Sequence, residues 1–382
     1  MIRIHNPIMA LPGFSFPGIE AYSTRAMTDV GGITIVADCG NKESLLDALE
    51  YYNSIGLGPE ELLFVSAPNG DIYHSILKDK ALKREIFSLA SEGHKIEFFC
   101  TRGDIESNFI KSLGLDWSDT VSLPCRFADR WNNKSNLRRV AIKNNLDYLF
   151  PVFSIIENGN IDLGITKRFS EVVVKPPLWA SGQGMVFGSG PGVIDEYRSL
   201  HGKIPKDTII EESLGEHTPM SVVARIKKGV VADKWYTEQH CPRSGKFVSH
   251  TGSVLGDMPN ITKQDQCWMD SVLNAFLKIM VKENPTITGI VNFDCAKNSN
   301  GNYVLECNSR ITFSTYIREI QKAMGNRTCI FHRLETSARS FKDLKLKDDI
   351  IPIVPGCLNS GYCYIVVVAD SYSEAIDKAR GI

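Results

Sequence analysis

Two acids and an amide lie close together in the stretch FDCAKNSNGNYVLECNSR: Asp294, then Glu306 and Asn308. Asn300-Gly301 between them is a turn signal, so Ile290–Arg310 reads as a hairpin. Period-two geometry puts Glu306 and Asn308 on one face. Cross-strand pairing brings Asp294 to the same face. Two carboxylates and an amide oxygen form a hard-oxygen set suited to Mg²⁺, which keeps waters and binds substrate phosphates; Mn²⁺ is the alternative ion. Acid pairs on a solvated hairpin face are also common, and the cluster alone does not choose between the two readings.

Upstream, the stretch EVVVKPPLWASGQGM ends an apolar, strand-like run in Lys175. Two prolines follow, then Ser181, Gly182, Gln183 and Gly184, whose backbone amides suit a phosphate cradle. Trp179 in this loop either stacks on a ligand or anchors a lid. Lys134 heads a helix-forming segment, and IIEESLGE places acids directly after a strand. Two lysines, an amide-rich loop and an Asp/Glu/Asn cluster, in that order, compose a nucleoside triphosphate site without a P-loop. Lys175 then faces the α and β phosphates, and the loop closes over the γ phosphate.

From Lys134 to Arg310 this order resembles the ATP-grasp superfamily. NNKSNLRRVAIKNNLDYLFP resembles the segment carrying its first phosphate lysine. VVVKPPLWASGQGM is similar to the second lysine and phosphate loop of the D-alanine–D-alanine ligases. TIIEESL is similar to the adenine hinge, which implies Glu211, Glu212 and Leu214 at the base. FDCAKNSNGNYVLECNSR resembles the magnesium hairpin, implying Asp294, Glu306 and Asn308 as ligands. Glu216 is carried over as the ribose acid, although it stands early. Asn292 occupies a position where some members have a phosphoryl-stabilising arginine; Arg310 takes that charge or binds a substrate carboxylate. The catalytic residues implied are Arg310 and Lys175.

The resemblance implies ATP- and Mg²⁺-dependent joining of a carboxylate to an amine through an acyl phosphate, releasing ADP and phosphate. The substrates would be small molecules, a peptide or a carrier protein. A carrier-protein thiol as acceptor and a non-catalytic ATP-binding protein are the alternatives. The N-terminal layer and the tail also resemble the pheganomycin-type peptide ligases and the butirosin-type carrier-protein ligases. The implied division is an α/β pre-ATP-grasp domain (1–128), a lid subdomain (129–214) and a catalytic subdomain (215–382), with a homodimer compatible.

The positioning elements read as α/β followed by α+β. In the first third, strands GITIVADC, ELLFVSAP and KIEFFCT alternate with helices, which predicts a parallel sheet. SILKDKALKREIFSLASEG reads as one helix, and CRFADRWNNKSN as a boundary. Thr262 and Asp265 are a capping pair for a long helix with an apolar stripe at Trp268, Val272, Phe276 and Ile279. By strand alternation Cys295 and Cys307 face the core. GSGPGVIDEY, with Glu211 downstream, imitates a dinucleotide fingerprint, but its strand is short and its helix brief. His240–Ser253 reads as an exposed loop near the site.

The chain has 382 residues, is 43% hydrophobic and 23% charged, and carries a net charge of −1. Nothing in that balance favours nucleic acid or an anionic membrane, and no apolar run is long enough to span a bilayer. Prolines interrupt the N-terminus, so no signal core is expected. Ten scattered cysteines without C-x-x-C fit a reducing cytosol.

Overall fold

The computed structural model describes residues 1–6, 17–157, 164–178, 184–240 and 251–381, with 251–253 described by backbone alone. Three sheets carry the architecture. The first has the order β3-β2-β1-β4 and is parallel throughout: β1 Ile2–Ile4, β2 Ile33–Asp38, β3 Glu61–Ser66 and β4 Ile96–Phe98. Its central strand β1, a three-residue run, is absent from the sequence reading, which found the other three.

The expected single helix at 75–93 is two, Ile72–Lys78 and Lys80–Ser91. Asp79 breaks it: its backbone is extended, and its carboxylate accepts from the Ala81 and Leu82 N–H groups at 2.9 and 3.0 Å. A short acid offering an acceptor to free N–H groups favours a cap over a helix interior. The expected boundary at 125–136 is instead helix Cys125–Asn132, which buries Cys125, Ala128 and Trp131 on one side. Asn133 then stops it and caps the next helix, Lys134–Lys143, through the Ser135 and Asn136 N–H groups.

The second sheet, β5-β8-β6-β7, is antiparallel: β5 Phe153–Ile155, β6 Val172–Lys175, β7 Val186–Gly188 and β8 Ile209–Glu212. Val172, Val174, Val186 and Ile210 pack on Val193, Ile194 and Tyr197 of helix Gly192–His201. Period two therefore turns Val173, Lys175 and Glu211 to the opposite face. The glycines of the dinucleotide-like stretch follow β7, an antiparallel strand, so the βαβ context of a dinucleotide fold is missing here.

The third sheet has eight antiparallel strands in the order β13-β12-β9-β10-β11-β14-β16-β15. These are β9 Thr218–Lys227, β10 Val230–Gln239, β11 Thr251–Leu255, β12 Gly289–Asn298, β13 Gly301–Asn308, β14 Thr328–Glu335, β15 Ile350–Ile353 and β16 Tyr362–Ala369. The long hairpin β9–β10, unread in the sequence, turns on Lys228 and Gly229, both at positive φ (50° and 77°), as a two-residue type I′ turn requires. Helix Lys263–Glu283 begins with the expected Thr262/Asp265 capping box. Its core-facing stripe is Met269, Val272, Leu273, Phe276, Leu277 and Met280, with Trp268 and Ile279 at the margins.

Candidate functional site

The helix Lys134–Lys143 presents Lys134 and Arg138, four residues apart, on one buried face. Lys134 Nζ lies 2.6 Å from Glu306 Oε2, and Arg138 Nη2 donates to Glu211 Oε2 at 2.8 Å. Lys175 pairs with the other oxygen of Glu211. Register explains that contact: Val173 pairs with Glu211 and Lys175 with Ile209, so Lys175 and Glu211 are diagonal neighbours on the open face of the second sheet. Burial pushes the Lys175 ammonium below its usual range, against the pull of Glu211. For Glu211, burial favours the neutral acid, but Lys175 and Arg138 outweigh it and hold the carboxylate ionised.

On the large sheet, Asp294 pairs directly with Glu306 and Asn292 with Asn308. The side chains of all four gather on one face. Asn308 Nδ2 donates to Asp294 Oδ2 at 2.6 Å and to Glu306 Oε1 at 3.1 Å, while Arg310 donates to Asn308 Oδ1 at 2.6 Å. Burial, then the Glu306 charge, raises Asp294 to about 6. Burial also acts against the ionised Glu306, but Lys134 prevails and lowers it to about 2. The opposite face carries Phe293, Cys295, Val304 and Cys307 into the core against Phe276. Burial raises both thiols, Cys307 to about 12, so neither offers a thiolate.

The donor set fits a divalent cation. Two carboxylates converge on one amide, Asn292 Oδ1 beside them is buried without a partner, and the positive charge now meeting Glu306 is the Lys134 ammonium. Asp294, Glu306 and a turned-over Asn308 amide would hold the ion.

Of the other sequence candidates, Glu212 is half-buried, its N–H bonded to the Val152 carbonyl at 2.8 Å. The Leu214 carbonyl accepts from Asn298 Nδ2 at 3.1 Å, which ties the expected hinge to the β12–β13 hairpin. Glu216 lies on the exposed turn before β9. Gly184 is at positive φ (69°), while Ser181, Gly182 and Gln183, with Trp179, lie outside the described residues. So does most of the loop after His240, whose own ring stacks on Tyr372.

Sequence reasoning missed three participants. Arg138 is one, with its i+4 spacing from Lys134 as the available signal. Ser221 and Gln239 are the others: Ser221 Oγ donates to Asp294 Oδ1 at 2.6 Å, and Gln239 reaches both. These two come from β9 and β10, so they were invisible without that hairpin.

No family model and no curated protein matches this sequence. Solved structures do. Biotin carboxylase from Campylobacter jejuni, in a β,γ-ATP complex, superposes with a TM-score of 0.59 at 13% identity, over 99% of this chain and 89% of that one. The L-amino acid ligase from Bacillus licheniformis gives 0.54 at 13% identity, over 93% and 97%. The chain has the ATP-grasp fold. A third ATP-grasp structure is the biotin carboxylase domain of Hydrogenobacter thermophilus 2-oxoglutarate carboxylase, with MgADP, ADP and bicarbonate. It gives a TM-score of 0.57 at 12% identity, over 100% and 88%. Within the ATP-grasp fold of this chain, Lys134 from its helix, Lys175 and Glu211 from β6 and β8 of the second sheet, and the β12–β13 hairpin of the large sheet are joined by ion pairs. No helix among the described residues is long and apolar enough to cross a membrane.

Proposed function

We propose that the protein is an ATP- and Mg²⁺-dependent ligase that joins a carboxylate to an amine through an acyl phosphate. One observation carries the reading: Lys134 spans from its helix to Glu306, opposite Asp294 and beside Arg310, so a phosphate-binding cation and a metal-binding acid meet at one point. Lys134 and Lys175 bind phosphates, with Ser181, Gly182, Gln183 and Gly184 as the closing loop. Glu211, Glu212 and Leu214 bound the adenine, with Glu216 as the candidate for the ribose. The metal, when bound, neutralises phosphate charge. Arg310 holds the transferring phosphoryl group or the substrate carboxylate, and the chain's contribution is positioning and charge stabilisation.

The three-part division is supported by the sheets, since β1–β4, β5–β8 and β9–β16 fall one set to each segment, with the 128/129 cut moved off the helix Cys125–Asn132 that spans it. The substrates are a small carboxylate and an amine, and a soluble cytoplasmic setting accords with the composition.

Hydroxylamine tests the reading, because it replaces the acceptor amine. A carboxylate panel with Mg-ATP should yield a hydroxamate together with ADP and phosphate. AMP and pyrophosphate in their place would mean adenylation and would overturn the assignment.

A further inference from the structure

The ladder between β12 and β13 ends at the pair Asn292–Asn308. The next residue, Ser309, is buried, and a buried backbone N–H must find an acceptor. Its acceptor is a side chain from far up the chain, Asn132 Oδ1, at 2.6 Å. Two residues on, the Ile311 N–H donates to the Phe99 carbonyl, just beyond β4, at 2.9 Å. Arg310 lies between these two tethers, and its guanidinium donates to Asn308 Oδ1 at 2.6 Å. The direction in which Arg310 leaves the strand is therefore set from outside the strand.

Asn132 is placed to hold a fixed point. It is the last residue of helix Cys125–Asn132. Its neighbour Trp131 is buried and stands nearly perpendicular to Phe276, with ring centroids 6.2 Å apart. Asn133 stops the helix and caps the next one. Lys134 follows: its N–H donates to the Pro177 carbonyl at 3.0 Å, and its ammonium meets Glu306. The span Asn132–Lys134 thus grips β13 and its end on both sides of Asn308, at Glu306 and at Ser309. It also holds the chain two residues after Lys175. An acceptor on a rigid, packed helix end suits a group that aims another residue.

We propose that Asn132 is a positioning residue for Arg310. Its amide oxygen, through the Ser309 N–H, fixes the backbone from which Arg310 reaches the transferring phosphoryl group or the substrate carboxylate. The inference rests on the ligase reading and adds a residue to it. Without that acceptor the Ser309 N–H turns toward water, because an unmade buried hydrogen bond is costly, and Arg310 turns with it. Lys134 and Lys175 keep their own partners, so nucleotide binding is spared while the rate falls.

The test uses the full chain. Ser309–Arg310 is the one Ser-Arg step in the sequence, so carbonyl-¹³C serine combined with ¹⁵N-arginine isolates a single amide signal, that of Arg310. Asn132→Leu removes the acceptor at similar size, Asn132→Ala removes it without bulk, and Asn132→Asp keeps one. The Arg310 signal should shift or split in the Leu and Ala variants and return to near its wild-type position in Asn132→Asp, with circular dichroism unchanged. In the ADP-release assay kcat should fall roughly tenfold or more in the Leu and Ala variants and recover in Asn132→Asp, with KM for ATP unchanged throughout. An unmoved signal in both acceptor-free variants would overturn the proposal. So would a moved signal with unchanged kcat, which would make the contact a structural tie. The signal reads the tether without nucleotide or turnover, so its failure is distinct from failure of the ligase reading.

Discussion

The protein has two buried ionic clusters, and they differ in what their charges are free to do. The first joins Lys134, Arg138 and Lys175 to Glu211, Asp294 and Glu306 around the β12–β13 hairpin. The second lies where the parallel sheet meets the large one. There Arg3 faces Asp29 and Glu97, Arg225 donates to Glu97 at 2.9 Å, and His5 stands beside Glu97. His5, Asp29 and Glu97 bring ligand-type atoms within 4.8 Å of one another, so on proximity alone the second cluster is the better metal candidate. Its partners argue otherwise. Two arginines already neutralise the two acids, Arg3 is fixed further by the Val30 and Gly31 carbonyls, and every member of the triad is buried. In the first cluster two of the three cations are flexible lysines, and Glu306 keeps 20% of its side chain exposed. A cluster that exchanges partners needs mobile cations and an open side; a cluster that fastens two layers needs neither.

Paired substitutions break this contrast most directly. Glu306→Gln should leave the circular dichroism spectrum intact and cut ADP release by a factor of about 100 or more, because it removes a charge from the proposed metal site. Normal turnover in that variant would make the hairpin structural. Glu97→Gln should do the reverse. It leaves Arg3 and Arg225 short of a counter-charge and should cost roughly 3 kcal/mol in urea unfolding, while Mg-ATP still raises the melting temperature. Loss of that nucleotide response in Glu97→Gln would erase the distinction between the clusters.

Lys175→Ala is milder. Arg138 still neutralises Glu211, so the unliganded fold should hold, while nucleotide affinity falls about tenfold and the Mg-ATP shift shrinks accordingly. An unchanged shift would remove Lys175 from the phosphate site.

The smallest effect is in pH. Burial raises Asp29 to about 7, above its value in an unfolded chain. The folded protein therefore binds a proton there that the unfolded one releases. That stabilisation is complete below about pH 4 and fades as pH rises through 7, a loss of about 1 kcal/mol between pH 6 and 8. Urea midpoints should show this slope in the wild type and a flatter one in Asp29→Asn. Equal slopes would mean Asp29 is already ionised.

How far the sequence discloses these clusters follows from their geometry. Lys175, Asp294, Glu306 and Asn308 were legible because each lies beside a local signal: a strand end, a turn or a two-residue spacing. Arg138 and Ser221 act across 73 positions of chain to Glu211 and Asp294 respectively, and no local pattern encodes such a pairing. The parallel layer showed in its apolar runs, but β1, three residues long, gave too little periodicity to read. The break at Asp79 was lost because the helical spacing of apolar residues continues across it, while the capping carboxylate acts within three residues.

The cap of the long helix reaches further than its own first turn. Asp265, which closes the capping box with Thr262, also accepts from Lys297 at 2.7 Å and from Asn302 at 3.2 Å, on either side of the hairpin turn. Helix Lys263–Glu283 and the β12–β13 hairpin are thereby riveted at one carboxylate. Shared hydrogen bonds of this kind couple the two elements, so hydrogen exchange should show the helix start and the hairpin tip opening together. The placement of Asp294 and Glu306, the proposed metal ligands, thus depends on a carboxylate outside the proposed set.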